Sequence, residues 1–445
     1  MTRFRPYPSY KESGVEWPGK IPQGWDTKRA KFVFRRMSRP VGPDDDIVTA
    51  FRDGTVTLRT NRRTGGFTNA AKEIGYQGVR CGDLVIHAMD GFAGAVGVSD
   101  SDGKSSPVYA VCTPTNQQDT FTRYYGYAVR FMATSGYVSS LAKGIRERST
   151  EFRFVEFGET PIPTLAQSEQ RAIAAFLDRE THRIDTLVEK KERLVELMKE
   201  KRTALISHAV TKGLDPNVRM KDSGVEWLGK IPEHWQMKKL KHLALDAPGA
   251  IKTGPFGSQL KSEEMRGGDT KVYNQRTVID RDASLGENYI SPDKFRELAD
   301  FAVGPGDILL TTRGTIGKCY RLPPNAEPGI LHPCLMRIRP DSAKYNPKLL
   351  VRLIEDSDLA QTQLFRLSDA TTIDVIYSQT MRRLTIPTPP ADEQEMIVEF
   401  LDRETRRTDA MVEKVKRSME LLKEYRTALI SAAVTGKIDV REKAA

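Results

Sequence analysis

Two long stretches of the chain repeat apolar residues in steps of four and three. In the first, Ile173, Leu177, Ile184, Leu187, Leu194, Met198 and Leu205 mark the stripe. In the second, Ile397, Leu401, Met411, Val415, Leu422, Tyr425 and Leu429 do so. That spacing is a heptad seam and predicts two long amphipathic helices. Glu180, Lys191 and Lys201 interrupt the first seam, and Glu404, Thr408 and Ser418 the second, so polar seam positions are expected to set register. Neither block contains Pro or Gly from its Glu-Gln pair to Gly213 or Gly436. About 40 helical residues at 1.5 Å each give roughly 60 Å of helix, whose stripe cannot be buried alone.

The two blocks are copies. Glu169–Asp215 opens EQRAIAAFLDRET and Glu393–Asp439 opens EQEMIVEFLDRET, and both carry RTALIS, at Arg202–Ser207 and Arg426–Ser431. Roughly 29 of about 49 aligned positions are identical, far above chance for a repeat. A shorter motif is also written twice, SGVEWPGKIPQGW at Ser13–Trp25 and SGVEWLGKIPEHW at Ser223–Trp235. The natural partner of each helix is the other copy. Like surfaces pair about an approximate two-fold axis, so an antiparallel coiled coil is expected. A generic oligomerisation coiled coil would share the seam but leaves the globular segments unexplained.

Between the repeated blocks, residues 30–160 and 240–385 share little beyond scattered glycines. Each nevertheless has a Gly-Asp, an apolar run and a G-x-x-G: Gly82-Asp83-Leu84-Val85-Ile86 then Gly91 and Gly94, and Gly306-Asp307-Ile308-Leu309-Leu310 then Gly314 and Gly317. This predicts a turn, a buried strand and a tight loop in both, hence one mixed α/β fold under two different sequences. The expected organisation is two globular α/β domains, 1–164 and 214–388, alternating with helical spacers, 165–213 and 389–445. A repeated frame with unlike inserts fits a scaffold presenting two different reading heads.

Charge narrows the partner. The net charge is +10 and the pI about 9.2. A basic excess suits a polyanion, because each Lys or Arg on a phosphate releases counterions. Basic and amide side chains gather in the predicted loops. Arg59, Asn61, Arg62 and Arg63 lie in the first segment. Lys252, Ser258, Gln259, Asn274, Gln275, Arg276, Arg313 and Lys318 lie in the second. Arg pairs bidentately with guanine and Asn or Gln with adenine, so these are the side chains base reading needs, although a loop arginine is most often solvated or on a phosphate.

Catalytic signatures are missing. Gly14–Lys20 and Gly224–Lys230 fit G-x-x-x-x-G-K, but Ile21 and Ile231 follow where a phosphate loop needs Ser or Thr. They read instead as turns in which Trp17, Trp25, Trp227 and Trp235 anchor the start of each domain. The sequence has no [ND]-P-P-[FY] motif and no Gly-rich methyl-donor loop after a strand. The six histidines show no metal-ligand spacing, with His182 and His208 expected at the surface or an interface of the helices. The four cysteines form no C-x-x-C, so a reducing cytoplasm is expected. No stretch approaches a membrane span, and the start is not a signal peptide.

Together these residues carry a resemblance. S-G-V-E-W-x-G-x-I-P-x-x-W resembles the start of a target recognition domain in specificity subunits of type I restriction–modification systems. Thr253-Gly-Pro-Phe-Gly-Ser-Gln-Leu260 with GDILLTTRGTIGK downstream is similar to the same family, as are the F-L-D-R-E-T and R-T-A-L-I-S blocks. The first variable segment departs from the T-G-P-F-G-S type. The resemblance spans nearly the whole chain and implies a non-catalytic, prokaryotic cytoplasmic subunit that reads a bipartite site in double-stranded DNA. It implies helices that set the unread spacer and dock two methyltransferase subunits, joined by restriction/translocase subunits. S-adenosylmethionine, ATP and Mg²⁺ would then belong to those partners, with no cofactor on this chain. A spacer of roughly 45–60 Å corresponds to about 13–18 base pairs. The competing readings are an autonomous site-specific nuclease or methyltransferase, and a coiled-coil DNA-binding regulator.

Overall fold

The computed structural model describes residues 4–62, 73–140, 152–226, 228–256, 258–367 and 375–441, without the side chains of residues 139 and 365–367. The chain forms two compact units that do not follow sequence order. The first comprises Met1–Lys191 with Arg417–Ala445, and the second Glu192–Lys416. The first long helix, Gln167–Lys212, and the second, Ala391–Val434, are each divided between the two units.

Both units are mixed α/β, and both contain the same sheet. In the first unit four antiparallel strands lie in the order Phe34–Arg36, Tyr109–Pro114, Leu84–His87, Val96–Val98. In the second the order is Ile251–Thr253, Leu335–Ile338, Ile308–Thr311, Cys319–Arg321. Numbered along the chain, each sheet reads first, fourth, second, third. The expected Gly-Asp turn precedes the second strand in both. Gly82 and Gly306 are left-handed, at φ 89° and 87°. Asp83 and Asp307 accept the backbone N–H three residues earlier, from Arg80 at 2.7 Å and Gly304 at 3.1 Å. Each carboxylate also pairs with an arginine, Arg39 or Arg339. The leucines and isoleucines that follow are fully buried.

The units differ beyond that sheet. The first adds two short antiparallel pairs, Val48–Ala50 with Val56–Leu58 and Gln77–Val79 with Gly103–Ser105. The second adds a second four-stranded sheet containing one parallel pair, Thr270–Tyr273 beside Gly329–Leu331.

The duplicated motifs are explained by contacts between them. Trp25 donates its indole N–H to Glu169 at 3.1 Å, and Trp235 donates to Glu393 at 2.7 Å. The glutamine that follows each glutamate, Gln170 or Gln394, is buried. Its amide oxygen accepts the N–H of Phe121 (2.7 Å) or Asn346 (2.6 Å), at the start of a shorter helix, Thr122–Thr134 or Pro347–Asp356. Thus the Glu-Gln pair fastens the opening tryptophan and the shorter helix onto the long one. Each tryptophan also covers a helix-ending glycine from the other repeat. Trp25 lies over Gly436 and Trp235 over Gly213, both left-handed. Trp17 is buried with its indole on the Pro161 carbonyl, whereas Trp227 lies outside the described residues.

Within each unit the two long helices run antiparallel. In the first, Ile173, Leu177 and Ile184 share a core with Leu429, Ile430 and Val434, and further along Asp185 meets Arg426 at 2.9 Å. In the second, Ile206 and Val210 share a core with Ile397 and Leu401, and Arg202 meets Asp409 at 3.3 Å. The Arg and Asp come from equivalent repeat positions, so one reciprocal ion pair occurs twice.

The seam needs correcting by one residue. The row Leu177, Ile184, Met198, Leu205 and its copy Leu401, Val415, Leu422, Leu429 face inward, buried or half-buried, and Ile173 and Ile397 are buried as well. The alternate row does not. Leu187, Leu194, Met411 and Tyr425 are exposed. Their places are taken one residue on by Thr181, Val188, Val195 and Arg202, and by Thr405, Val412, Met419 and Arg426. The largest apolar side chains suggested the other register. The fold instead buries threonines whose hydroxyls bond back to the Leu177 and Leu401 carbonyls at 2.7 Å, and half-buries arginines that find an aspartate across the pair.

Candidate nucleic-acid interface

In the second unit, four strands end beside one another. Ile251–Thr253 leads into Gly254, Thr270–Tyr273 into Asn274, Ile308–Thr311 into Thr312 and Gly329–Leu331 into His332. Backbone hydrogen bonds lace these loops together. Gly254 donates to Leu335 at 2.8 Å, His332 to Tyr273 at 2.9 Å and Thr312 to Cys334 at 2.9 Å. Gly254 must be glycine, because a Cβ there would lie 2.3 Å from the His332 carbonyl oxygen. That close approach explains the first glycine of the T-G-P-F-G-S segment. Phe256, two residues on, is 71% exposed.

The candidate side chains divide by what they touch. Gln275 donates to the Arg313 carbonyl and joins two of the loops. Asn274 caps the helix Gln275–Ile279 by accepting from Arg276 (3.0 Å) and Thr277 (3.3 Å). Gln259 accepts the Phe256 N–H at 2.9 Å and closes its own loop. Ser258 is exposed on that loop. Arg276 projects outward, 74% exposed, with only an i,i+4 contact to Asp280. The Arg313 guanidinium is exposed and has no partner among the described residues. Lys318 pairs with Glu355 at 3.2 Å. Lys252 is not brought to this edge; it pairs with Asp300 at 2.9 Å and lies over Phe301. Free cationic reach at this edge is therefore concentrated in Arg276 and Arg313.

In the first unit the equivalent loop is Ala88–Gly94, after Leu84–His87. His87 accepts the Asp90 N–H through Nδ1 at 2.9 Å, as His332 accepts the Cys334 N–H at 3.2 Å in the second. Burial lowers the pKa of both imidazoles, with Asp90 opposing the shift at His87. A neutral ring keeps the Nδ1 lone pair each hydrogen bond needs. The hairpin Val48–Leu58 reaches this loop through Arg52, which pairs with Asp90 at 2.8 Å.

Arg59 and Asn61 form a short turn after that hairpin and bond to Thr49 (3.4 Å) and Thr57 (2.8 Å). Arg62 is tied to Asp53 at 2.5 Å and to Thr55, and stacks over Phe51. Its partners hold the hairpin turn, which leaves this arginine less free than a solvated loop cation. Arg63 lies outside the described residues. The sequence reading passed over two further arginines, Arg36 and Arg153. With Met89, Tyr109 and Phe154 they line a cleft of about 290 Å³ beside the same loop. Neither occupies a duplicated motif, so no sequence signal marked them. A larger cleft, about 410 Å³, lies between the hairpin turn and the long helices. Arg123, Arg130 and Arg426 there face Asp53, Asp178 and Asp185. Among the described residues no group of three or more His, Cys, Asp or Glu is placed to hold a metal ion.

Comparison with known proteins gives this arrangement its relatives. Residues 232–421 match the family model described as Type I restriction modification DNA specificity domain. That match takes in 190 of the 445 residues. Over 118 residues it is 26% identical to the Type I restriction enzyme EcoBI specificity subunit of Escherichia coli, covering 26% of this chain and 24% of that protein. The match thus spans about a quarter of that curated relative. Two solved chains share the fold over almost their whole length. One comes from work on complex assembly and conformational transition of the type I R-M system, with TM-score 0.68, 14% identity, and 93% of this chain and 98% of that one covered. The other is the HsdS subunit from Thermoanaerobacter tengcongensis, with TM-score 0.55, 17% identity, and coverages of 95% and 100%. No helix among the described residues is long and apolar enough to cross a membrane.

Proposed function

We propose that this chain is the specificity subunit of a type I restriction–modification complex, reading double-stranded DNA with one edge of each unit. The observation that carries the reading is the gathering of loops at one end of the strands in a unit that matches the specificity-domain family. Exposed Arg276 and Arg313 stand there with amide-braced backbone. Arginine in that setting suits guanine edges and phosphates. In the first unit the corresponding edge carries Arg36, Arg52 and Arg59.

The long helices set the unread spacer and dock two methyltransferase subunits. Exposed Leu187, Leu194, Leu197, Met411, Leu421 and Tyr425 support this docking role, since apolar side chains in such number on paired helices mark an interaction surface. Restriction/translocase subunits join that core. This chain is non-catalytic and binds no cofactor; S-adenosylmethionine, ATP and Mg²⁺ act on the partners.

The test is to co-express the chain with a type I methyltransferase subunit from the same genome and to map methylated bases across the genome. A two-part motif with a fixed gap is the expected result. Exchanging residues 30–160 for another recognition segment should then change one half only. An uninterrupted motif, or methylation and cleavage by this chain alone, overturns the proposal.

A further inference from the structure

The shorter helix of each unit starts from the same glutamine contact, so its residues can be matched one by one. Phe121 and Asn346 give their N–H groups to Gln170 and Gln394. Two residues on, Arg123 pairs with Asp178 and Lys348 approaches Asp402, equivalent aspartates of the two repeats. Tyr127 donates to Asp178 at 2.6 Å, and Arg352 to Asp402 at 3.1 Å. The same count brings Arg130 onto Glu355.

Both side chains grip the loop after the second sheet strand. Arg130 donates to the Gly94 carbonyl at 3.3 Å and to the Arg52 carbonyl at 3.2 Å. Gly94 is left-handed, and a Cβ there would lie 2.6 Å from the Arg52 oxygen, so the loop is packed tightly under this clamp. Glu355, its side chain only 5% exposed, accepts from the Cys319 N–H at 3.1 Å, from Lys318 at 3.2 Å and from Arg281 at 3.0 Å. Arg281 is the one non-glycine residue with positive φ among the described residues, at 56°. That backbone conformation costs energy for an L residue, and the ion pair with Glu355 helps hold it. Beside Glu355, Asp356 pairs with Arg202 of the first long helix at 3.1 Å. The end of the shorter helix is thus fixed to the long helices on one side and to the reading loops on the other.

We infer that Glu355 is a positioning residue for base discrimination by the second unit, holding loops 274–286 and 312–318 in register while keeping Lys318 and Arg281 off the DNA backbone. Arg130 is its counterpart in the first unit, with opposite charge, binding loop carbonyls where Glu355 binds loop cations. The inference rests on the proposed DNA reading and sharpens it.

The experiment selects bound sites from randomised duplex DNA with the full chain in complex with its methyltransferase. Wild type is compared with Glu355→Gln, Glu355→Asp and the double variant Lys318→Gln, Arg281→Gln. Glu355→Gln is expected to broaden base preference in one half of the site and leave the other half unchanged. Its affinity for random duplex should rise, with a salt dependence steeper by about 1–2 in slope, since each released cation that reaches a phosphate adds ~0.9. Glu355→Asp should restore part of the preference. The double variant removes the cations directly; it should broaden the same half without the steeper slope. Unchanged preference in both halves for both Glu355→Gln and the double variant overturns the inference. So does equal broadening of both halves, which marks a general folding defect. Wild-type complex that selects no sequence overturns the DNA-reading proposal itself, a separate outcome.

Discussion

The two units use one sheet order and one helix position, yet they build unlike edges. The first braces its loop with an arginine on carbonyl oxygens, and the second braces the matching loop with a glutamate on two cations and an N–H. The first adds two short strand pairs, the second a whole extra sheet. What stays fixed is the clasp of tryptophan, glutamate and glutamine that mounts each unit on the helices. A mounting shared by unlike edges permits one edge to diverge without unseating the other, because the hydrogen bonds that fix the mount are made by other residues.

The largest expected effect tests that mounting. Trp25→Ala and Trp235→Ala each remove a fully buried indole and its hydrogen bond to a glutamate, and should cost about 3–5 kcal/mol in urea denaturation. A loss below about 1 kcal/mol in either would break the equivalence of the two clasps. The helix-ending glycines sharpen the comparison next. Both need a left-handed backbone, where alanine costs about 1–2 kcal/mol. At Gly436 a Cβ would also meet Pro22 at 2.3 Å, whereas at Gly213 the nearest contact is Trp235 at 3.2 Å. Gly436→Ala should therefore lower the melting temperature more than Gly213→Ala.

The seam gives a third test. Val195→Asp and Val412→Asp place a charge on the inward row and should each cost about 3 kcal/mol. Leu194→Asp and Met411→Asp, one residue earlier and exposed, should leave stability of the isolated chain within about 0.5 kcal/mol. Under the proposed docking role, the same two outward variants should weaken capture of a methyltransferase subunit, measured by co-purification. The smallest effect concerns pH. His87 and His332 are held below the ordinary histidine value of about 6.5. The unfolded chain then binds the proton more readily, so their stabilisation is present above about 6.5 and is lost as pH falls below it. His332→Asn and His87→Asn should each flatten part of that acid loss.

Much of this was legible because repetition exposes constraint. Gly82-Asp83 and Gly306-Asp307 announced the same turn and buried strand in segments that otherwise differ. The loop candidates were partly legible. Arg276 and Arg313 project from the edge, but Asn274 and Gln259 are occupied with backbone N–H groups. Lys252 turns away to Asp300. Composition marks which side chains can read a base but not which are already bonded. Arg130 and Glu355 were invisible, since they align only through Gln170 and Gln394 and differ in charge.

The sequence by itself determined the repeated frame, the two long helices, the buried Gly-Asp strands and the basic character of the loops. These follow from local periodicity, turn chemistry and charge, each readable within a few residues. Tertiary structure alone decided that each compact unit takes the start of one long helix and the end of the other, and which neighbouring row of residues forms the seam. It also decided which loop cations stay free. Those outcomes depend on partners hundreds of residues away, such as Arg202 with Asp409 and Trp25 with Gly436, and a heptad pattern that tolerates a one-residue shift cannot choose between them.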